Sequence, residues 1–146
     1  MLRHGDADFI LPDSARQLSA KGKSQVVKMA QTYSCNMQDI ELVITSPLRR
    51  ALETTELFIA NANIGCDYQV ADYLLPDTSV TAVARHIQDL VQKKILMVGH
   101  LPLLDCWVDY LTGNANVRMA TASLASLSMD YAYKGLASLN WVYHVD

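Results

Sequence analysis

A layered α/β protein with a mostly parallel central sheet is the fold class that the sequence predicts, and two patterns support this. Short, continuously apolar runs alternate along the chain with longer segments of helical periodicity. Continuous hydrophobicity indicates strands that are covered on both faces, as in a parallel sheet flanked by helices. The C-terminal part changes to strict apolar–polar alternation, which indicates an antiparallel pair. We therefore expect a three-layer sandwich with a C-terminal β-hairpin.

The first strand is expected to be a stub, because only two residues precede Arg3 and His4. Our interpretation is that the given sequence starts late, inside this strand. The alternative is that the strand itself is cut to a stub. The apolar runs 42–45 and 95–98 predict two buried strands of the parallel sheet.

Four segments predict helices. A serine that can cap a helix opens the segment 19–33. In the segment 46–60 a serine precedes Pro47, and proline favours the first helical position. The segment 80–92 has apolar side chains at helical spacing. The segment 102–113 begins with proline and ends near a glycine.

The tail predicts the hairpin. Apolar and polar side chains alternate in the runs 125–129 and 139–145, and Gly135 lies between them. The chain contains no repeat, low-complexity tract or linker, so we predict a single domain over residues 1–146.

The composition excludes several classes of function. Hydrophobic residues make up 51% and charged residues 18% of the chain, as in ordinary globular proteins. A net charge of −3 argues against nucleic acid as the main ligand. The three cysteines lack the spacing of a zinc site or a disulfide framework. No apolar run approaches a membrane span or a signal-peptide core. We therefore expect a cytoplasmic protein with neither nucleic-acid nor membrane partners.

Basic side chains follow three of the predicted strands. Arg3 and His4 follow the first, Arg50 lies on the turn after the second, and His100 follows the third. Ligands of open parallel sheets bind beyond the carboxyl ends of the strands. If these strands are neighbours, the four side chains converge on one crevice.

That crevice suits a phosphoryl group. Arginine offers a planar fork to phosphate oxygens, which lysine does not, and none of the three turns contains a lysine. Helix N-termini after Pro47 and Pro102 would add backbone N–H donors. Surrounding positive charge also disfavours protonation of His4, so that a ring nitrogen stays free as a nucleophile. The same arginines would repel a cation, so no metal is expected at His4 and His100.

These motifs resemble those of the histidine phosphatase superfamily and, within it, of the SixA-type protein phosphohistidine phosphatases. Four segments carry the resemblance in order along nearly the whole chain: RHGDA at 3–7, DSARQLS at 13–19 with Gly22, SPLRRA at 46–51 with Thr54, and HLPL at 100–103.

The resemblance implies a phosphoglycerate mutase-like α/β sandwich in which His4 accepts the phosphoryl group. It also implies that Arg3, Arg50 and His100 bind the phosphate oxygens, and that Arg16 lies at the pocket rim facing phosphate or the substrate protein. The implied activity is removal of phosphate from phosphohistidine on a phosphorelay or phosphocarrier protein. No cofactor or metal is implied.

The general acid is the point at which the sequence departs from the family. Many members carry a mid-chain glutamate, whereas the nearest candidates here are Asp72 and Asp77, and neither is compelling. An imidazole leaving group needs less protonation than an alkoxide does, which favours phosphohistidine as the substrate. Two alternatives stay open: a small-metabolite phosphomonoesterase that uses Asp72 as its acid, and a non-catalytic module that binds phosphoproteins.

Overall fold

The computed structural model describes residues 1–145 and contains six strands and four α-helices in that range. The strands are β1 (Leu2–Arg3), β2 (Leu42–Thr45), β3 (Tyr68–Val70), β4 (Ile95–Gly99), β5 (Leu124–Ser128) and β6 (Ser138–Tyr143). The helices are α1 (Ala20–Tyr33), α2 (Arg49–Ala62), α3 (Val80–Gln88) and α4 (Leu103–Thr112).

The strands form one sheet in the order β3-β2-β4-β1-β5-β6. The pairs β2–β3, β2–β4 and β1–β4 are parallel, whereas β1–β5 and β5–β6 are antiparallel. The predicted mostly parallel sheet and the C-terminal hairpin are therefore confirmed. Because β2, β4 and β1 are neighbours in the sheet, the turns that follow them meet at one edge.

Helices cover both faces of the sheet, as the apolar strands predicted. Val43 and Leu96 pack on the face covered by α1 and α2, where Phe58 is fully buried. Ile44 and Met97, one position further along the same strands, pack on the opposite face with α3 and α4. Successive strand side chains point to opposite faces, so these strands contribute to both cores. The fold is thus a three-layer sandwich.

Helix α1 begins as the sequence predicted, but two other boundaries differ. Ser19 caps α1 by accepting a 3.0 Å hydrogen bond from the Gly22 N–H. Helix α2 begins at Arg49 rather than at Pro47, because Leu48 is still extended and stands at the N-cap position; Ser46 lies before it, with its hydroxyl hydrogen-bonded to His100 and to the Leu48 N–H. Helix α3 ends at Gln88 and not near residue 92, since Val91 is 85% exposed and has no core to pack against.

Within residues 1–145, none of the helices combines the length and the apolar character that crossing a bilayer requires.

Candidate active site

The five side chains that the sequence singled out line one cavity at the carboxyl ends of β1, β2 and β4. This cavity has a volume of about 430 Å³. The predicted residues that line it are Arg3, His4, Arg16, Arg50 and His100. The expected convergence of separate turns on one crevice is therefore confirmed.

His4 lies at the floor of this cavity and is held there by backbone hydrogen bonds on two sides. The backbone N–H of His4 donates to the carbonyl oxygen of Gly99 at 3.1 Å, at the end of β4. Its own carbonyl oxygen accepts from the Ala122 N–H at 3.0 Å, just before β5. Only 8% of the residue is exposed. The strand ends, and not a mobile loop, thus determine the position of the imidazole.

The hydrogen bonding of His4 leaves one ring nitrogen free. Nδ1 lies 2.7 Å from the carbonyl oxygen of Gly5, which can only accept, so Nδ1 carries the proton. Nε2 then keeps its lone pair. Burial, which is the largest cause, and the positive charges of Arg50 and Arg3 together lower the pKa of His4 to about 4, although its hydrogen bond to Gly5 acts in the opposite direction. The ring is therefore neutral at physiological pH, as a nitrogen nucleophile requires.

His100 packs beside His4, with 5.0 Å between the ring centroids. The Ser46 hydroxyl lies 2.7 Å from Nε2 of His100 and fixes the orientation of its ring. Burial, together with the neighbouring His4 and Arg50, lowers the pKa of His100 to about 3. Both imidazoles are thus uncharged near neutrality, and the positive charge of the cavity comes from its arginines.

The guanidinium of Arg50 is buried and is oriented by Asp13. Nη2 donates to the Asp13 carboxylate at 3.0 Å, and Nη1 donates to the Asp13 carbonyl oxygen at 2.9 Å. Arg3 is oriented differently, through a 2.7 Å hydrogen bond from Nη1 to the Met119 carbonyl oxygen. Both arginines therefore reach the cavity with their planes set by neighbouring backbone.

Arg16 lies at the rim of the cavity, where the resemblance placed it. Its Nε and Nη2 donate to the carbonyl oxygens of Asp8 and Ala7, at 2.9 and 3.2 Å. Its Nη1 pairs with the Asp13 carboxylate at 3.2 Å. Although desolvation raises the pKa of the Asp13 carboxyl, the hydrogen bonds from Arg16 and Arg50 outweigh it and hold this pKa below its usual value. Asp13 is therefore ionised near neutrality.

Two glycines let the His4 turn lie directly against α1. A Cβ on Gly22 would lie 1.9 Å from the Asp6 carbonyl oxygen, and one on Gly5 would lie 2.7 Å from the Gly22 carbonyl oxygen. On the other side, the Thr54 hydroxyl of α2 accepts from the Gly5 N–H at 3.1 Å. The turn is thereby fixed between two helices, which explains the glycines and the threonine of the matching segments.

The carboxylates that line the cavity are not the ones that the sequence suggested as the general acid. Neither Asp72 nor Asp77 lines the cavity, whereas Asp6 and Asp13 do. Asp6 accepts a 2.6 Å hydrogen bond from the Ser19 hydroxyl, which ties the turn after His4 to the start of α1. Asp13 stood in a quoted segment, but nothing in the sequence indicated that it would bridge two arginines.

Pro76 and Thr121 also line the cavity, and the sequence reading missed both. Each lies on an irregular connection, which hydrophobic periodicity does not describe. The only sequence signal was their position: Pro76 stands between the two acid candidates Asp72 and Asp77, and Thr121 stands just before the tail hairpin.

Comparison with known proteins defines the class to which this cavity belongs. The chain is a member of the histidine phosphatase superfamily (branch 1), whose family model matches residues 1–74. It is 30% identical to the phosphohistidine phosphatase SixA of Escherichia coli (strain K12), over 97% of this chain and 89% of that protein. The family resemblance found in the sequence is thereby confirmed.

Solved structures support the fold. The protein histidine phosphatase SixA, solved in complex with tungstate, superposes with a TM-score of 0.89 at 30% identity, covering 98% of this chain and 94% of that one. A mycobacterial glucosyl-3-phosphoglycerate phosphatase superposes with a TM-score of 0.70 at 18% identity, covering 100% of this chain and 97% of that one. The second likeness is one of fold alone.

Proposed function

We propose that this protein is a phosphohistidine phosphatase, which removes the phosphoryl group from a phosphorylated histidine of another protein. The observation that carries the proposal is the state of His4: a neutral imidazole with Nε2 unprotonated, on the floor of a cavity lined by guanidinium groups. The 30% identity to phosphohistidine phosphatase SixA over nearly the whole chain supports the same activity.

The reaction proceeds in two displacements at phosphorus. In the first, Nε2 of His4 attacks in line and forms a P–N bond, while the P–N bond to the substrate imidazole breaks. The leaving ring keeps the electron pair and takes a proton from water. In the second, water forms a P–O bond, the P–N bond to His4 breaks with its electron pair returning to Nε2, and a proton of this water neutralises the hydroxide left by the first step as inorganic phosphate leaves. Neither step of this scheme uses a metal or a cofactor.

The other predicted site residues stabilise the transferred group. Arg3, Arg50 and His100 bind the equatorial phosphate oxygens, whose charge must be balanced throughout the transfer. Arg16 contributes positive charge from the rim while it holds the neighbouring loop. Since His100 is uncharged near neutrality, the guanidinium groups supply most of the positive potential.

The carboxylates of the cavity favour a nitrogen leaving group. Asp13 is ionised near neutrality and cannot donate a proton, and Asp6 is occupied by the Ser19 hydroxyl. An alkoxide leaving group needs a general acid more than an imidazole does. The cavity is therefore better suited to phosphohistidine than to a phosphate ester, which argues against the small-metabolite phosphomonoesterase.

The partner that we propose is a phosphorelay or phosphocarrier protein in the cytoplasm, which gives this enzyme a role in signalling. Cys35, Cys66 and Cys106 are all free thiols, and free thiols are typical of a reducing compartment.

The test is phosphate release from a histidine-containing phosphotransfer protein that has been phosphorylated with phosphoramidate. We expect wild type to release phosphate and His4→Ala to lose at least about a thousandfold in rate, since the nucleophile is gone. His86→Ala is the matched control, because His86 stacks on Tyr73 and does not line the cavity.

Three results would contradict the proposal. Activity retained by His4→Ala would remove His4 as the nucleophile. Release by wild type from small phosphomonoesters alone would indicate the metabolite phosphatase. No release from any substrate, with phosphoprotein binding intact, would indicate the non-catalytic binding module.

A further inference from the structure

The loop that forms one side of the cavity rim carries the longest run of exposed apolar side chains near the site. We call residues 8–13 the rim loop. Phe9, Ile10 and Leu11 follow one another in it and are 86%, 42% and 82% exposed. Single exposed apolar residues are normal on protein surfaces, whereas contiguous ones mark interaction sites.

The rim loop is joined to the cavity at both ends. Ala7, directly before it, and Asp13, its last residue, both line the cavity. One of its apolar side chains also lies close to a cavity residue, since the guanidinium carbon of Arg16 is 5.9 Å from the centre of the Phe9 ring. A molecule that presents a phosphoryl group to His4 therefore meets these side chains at the edge of the same opening.

The loop is held in this exposed arrangement by hydrogen bonds at its base. The Asp8 N–H donates to the Gln17 carbonyl oxygen at 3.0 Å, and Ala7 pairs with Leu18 in an antiparallel bridge. Arg16 ties the start and the end of the loop together through Asp8 and Asp13. The two ends of the loop are thus fixed, and Phe9 and Leu11 lie exposed between them.

From this placement we infer that the rim loop is the docking surface for the substrate protein, and that Phe9, Ile10 and Leu11 pack against an apolar patch beside its phosphohistidine. The inference rests on the proposed function. A phosphohistidine holds its phosphoryl group no further from its own backbone than the length of one side chain, and His4 is buried. The protein surface around a phosphohistidine must therefore touch the rim for the transfer to occur.

The charges of the loop favour a protein over a membrane as the occupant. The acidic residues Asp8 and Asp13 stand at its two ends. Anionic lipid surfaces repel carboxylates and attract basic clusters. A protein partner can instead place a basic or neutral side chain opposite the exposed Asp8. Apolar anchors surrounded by polar residues are also the usual arrangement of protein–protein contact sites.

The experiment compares two substrates on the same variants. One is free phosphohistidine, which brings no surrounding protein surface to the rim loop, and the other is the phosphoramidate-treated phosphotransfer protein. We expect Phe9→Ser combined with Leu11→Ser to lower kcat/KM for the phosphoprotein by about ten- to a hundredfold. We expect kcat/KM for free phosphohistidine to stay within about twofold of wild type, since neither side chain touches the phosphoryl group.

Val91→Ser is the matched control, because Val91 is as exposed as Phe9 but does not line the cavity. It should change neither substrate's kcat/KM. Thermal unfolding of each variant shows whether the loop substitutions leave the fold intact, as their exposure predicts.

The outcomes separate this inference from the proposed function. If wild type hydrolyses neither substrate, the proposed function fails. If wild type hydrolyses both substrates and the double variant has the same change in kcat/KM for both, or no change for either, the rim loop is not the docking surface. If gel filtration shows a wild-type dimer that the double variant abolishes, a second copy covers the rim loop and the inference is overturned. Selective loss on the phosphoprotein by a monomer supports it.

Discussion

The floor of the cavity, with His4 and Arg50, and its rim, with Asp13 and Arg16, hold their side chains by different means. On the floor, His4 is fixed by backbone hydrogen bonds to the strand end at Gly99 and to Ala122, and Arg50 is only 4% exposed. At the rim, the side chain of Arg16 is held by the loop that it itself ties together, and its partner Asp13 has a 59% exposed side chain. The floor is built by the sheet, whereas the rim is built by an ion-pair network in contact with water.

The floor and the rim are therefore expected to contribute differently to the reaction and to the choice of ligand. Charged interactions that are shielded from water are strong and depend on geometry, whereas exposed ion pairs contribute little and are screened by salt. Substitutions on the floor should therefore change the rate of transfer, and substitutions at the rim should change mainly which molecules bind.

The largest difference between floor and rim is expected when Arg50 on the floor and Arg16 at the rim are each replaced by lysine. Arg50→Lys keeps the charge but loses the planar fork, so kcat/KM for free phosphohistidine should fall by about a hundredfold. Arg16→Lys should cost less than about fivefold, because its exposed contacts contribute little. Steady-state kinetics of both variants measures the difference.

Arg49→Lys is the control for these two variants, since Arg49 lies on the solvent side of α2 and pairs with Glu53. Its kinetics should match wild type. Equal losses in Arg50→Lys and Arg16→Lys would mean that floor and rim do not differ in the way described.

An effect of intermediate size is expected on the pH dependence of stability. The folded pKa of His4, about 4, lies below the ordinary value of 6.5, so the unfolded chain binds more protons between these values. The contribution of the neutral His4 to the free energy of unfolding should therefore be fully present above about pH 6.5 and be lost progressively as the pH falls towards 4. Urea unfolding at pH 7 and pH 4.5 measures it.

His4→Gln isolates this contribution. It should reduce the loss of unfolding free energy between the two pH values by on the order of 2 kcal/mol. His86→Gln, which replaces a histidine outside the cavity, is the reference variant. If His4→Gln and His86→Gln changed the pH dependence equally, the buried floor would not be the source of acid sensitivity.

The smallest effect concerns the carboxylate that Arg50 and Arg16 share. Asp13→Asn removes a negative charge that competes with phosphate for the guanidinium of Arg50 but keeps a hydrogen-bond acceptor. The inhibition constant of inorganic phosphate should therefore fall by about two- to fivefold, since Asp13 is largely exposed. Asp77→Asn, outside the cavity, is the control. Weaker phosphate inhibition would show that the loss of Arg50 orientation by Asp13 outweighs the removal of the competing charge.

The sheet and the floor were largely predictable from the sequence, because both depend on local patterns. The runs 42–45 and 95–98 are buried on both faces, so they stand out as continuous hydrophobicity. Strand β3 lies at the sheet edge with two of its three residues exposed, and no such pattern marks it. His4, Arg50 and His100 were found because each follows a predicted element directly.

The rim could not be predicted in the same way. Asp13 bridges Arg16 and Arg50, which lie at different distances along the chain, and this contact depends on the path of a loop. The start of α2 was misplaced for a related reason, since the Ser46 hydroxyl binds His100 across the sheet instead of capping the helix. Propensity describes neighbours in sequence, whereas the contacts of Asp13 with Arg50 and of Ser46 with His100 join residues that are distant in it.

The close approach of Gly22 to Asp6 gives helix α1 an unequal tolerance to change. Replacing a helical glycine by alanine ordinarily stabilises a helix by about 1 kcal/mol. At Gly22 the added methyl would instead meet the Asp6 carbonyl oxygen and displace the turn that carries His4. Among related sequences we therefore expect the solvent-exposed positions of α1 to vary and position 22 to stay glycine. The exposed face of this helix tolerates substitution, whereas the face against the His4 turn does not.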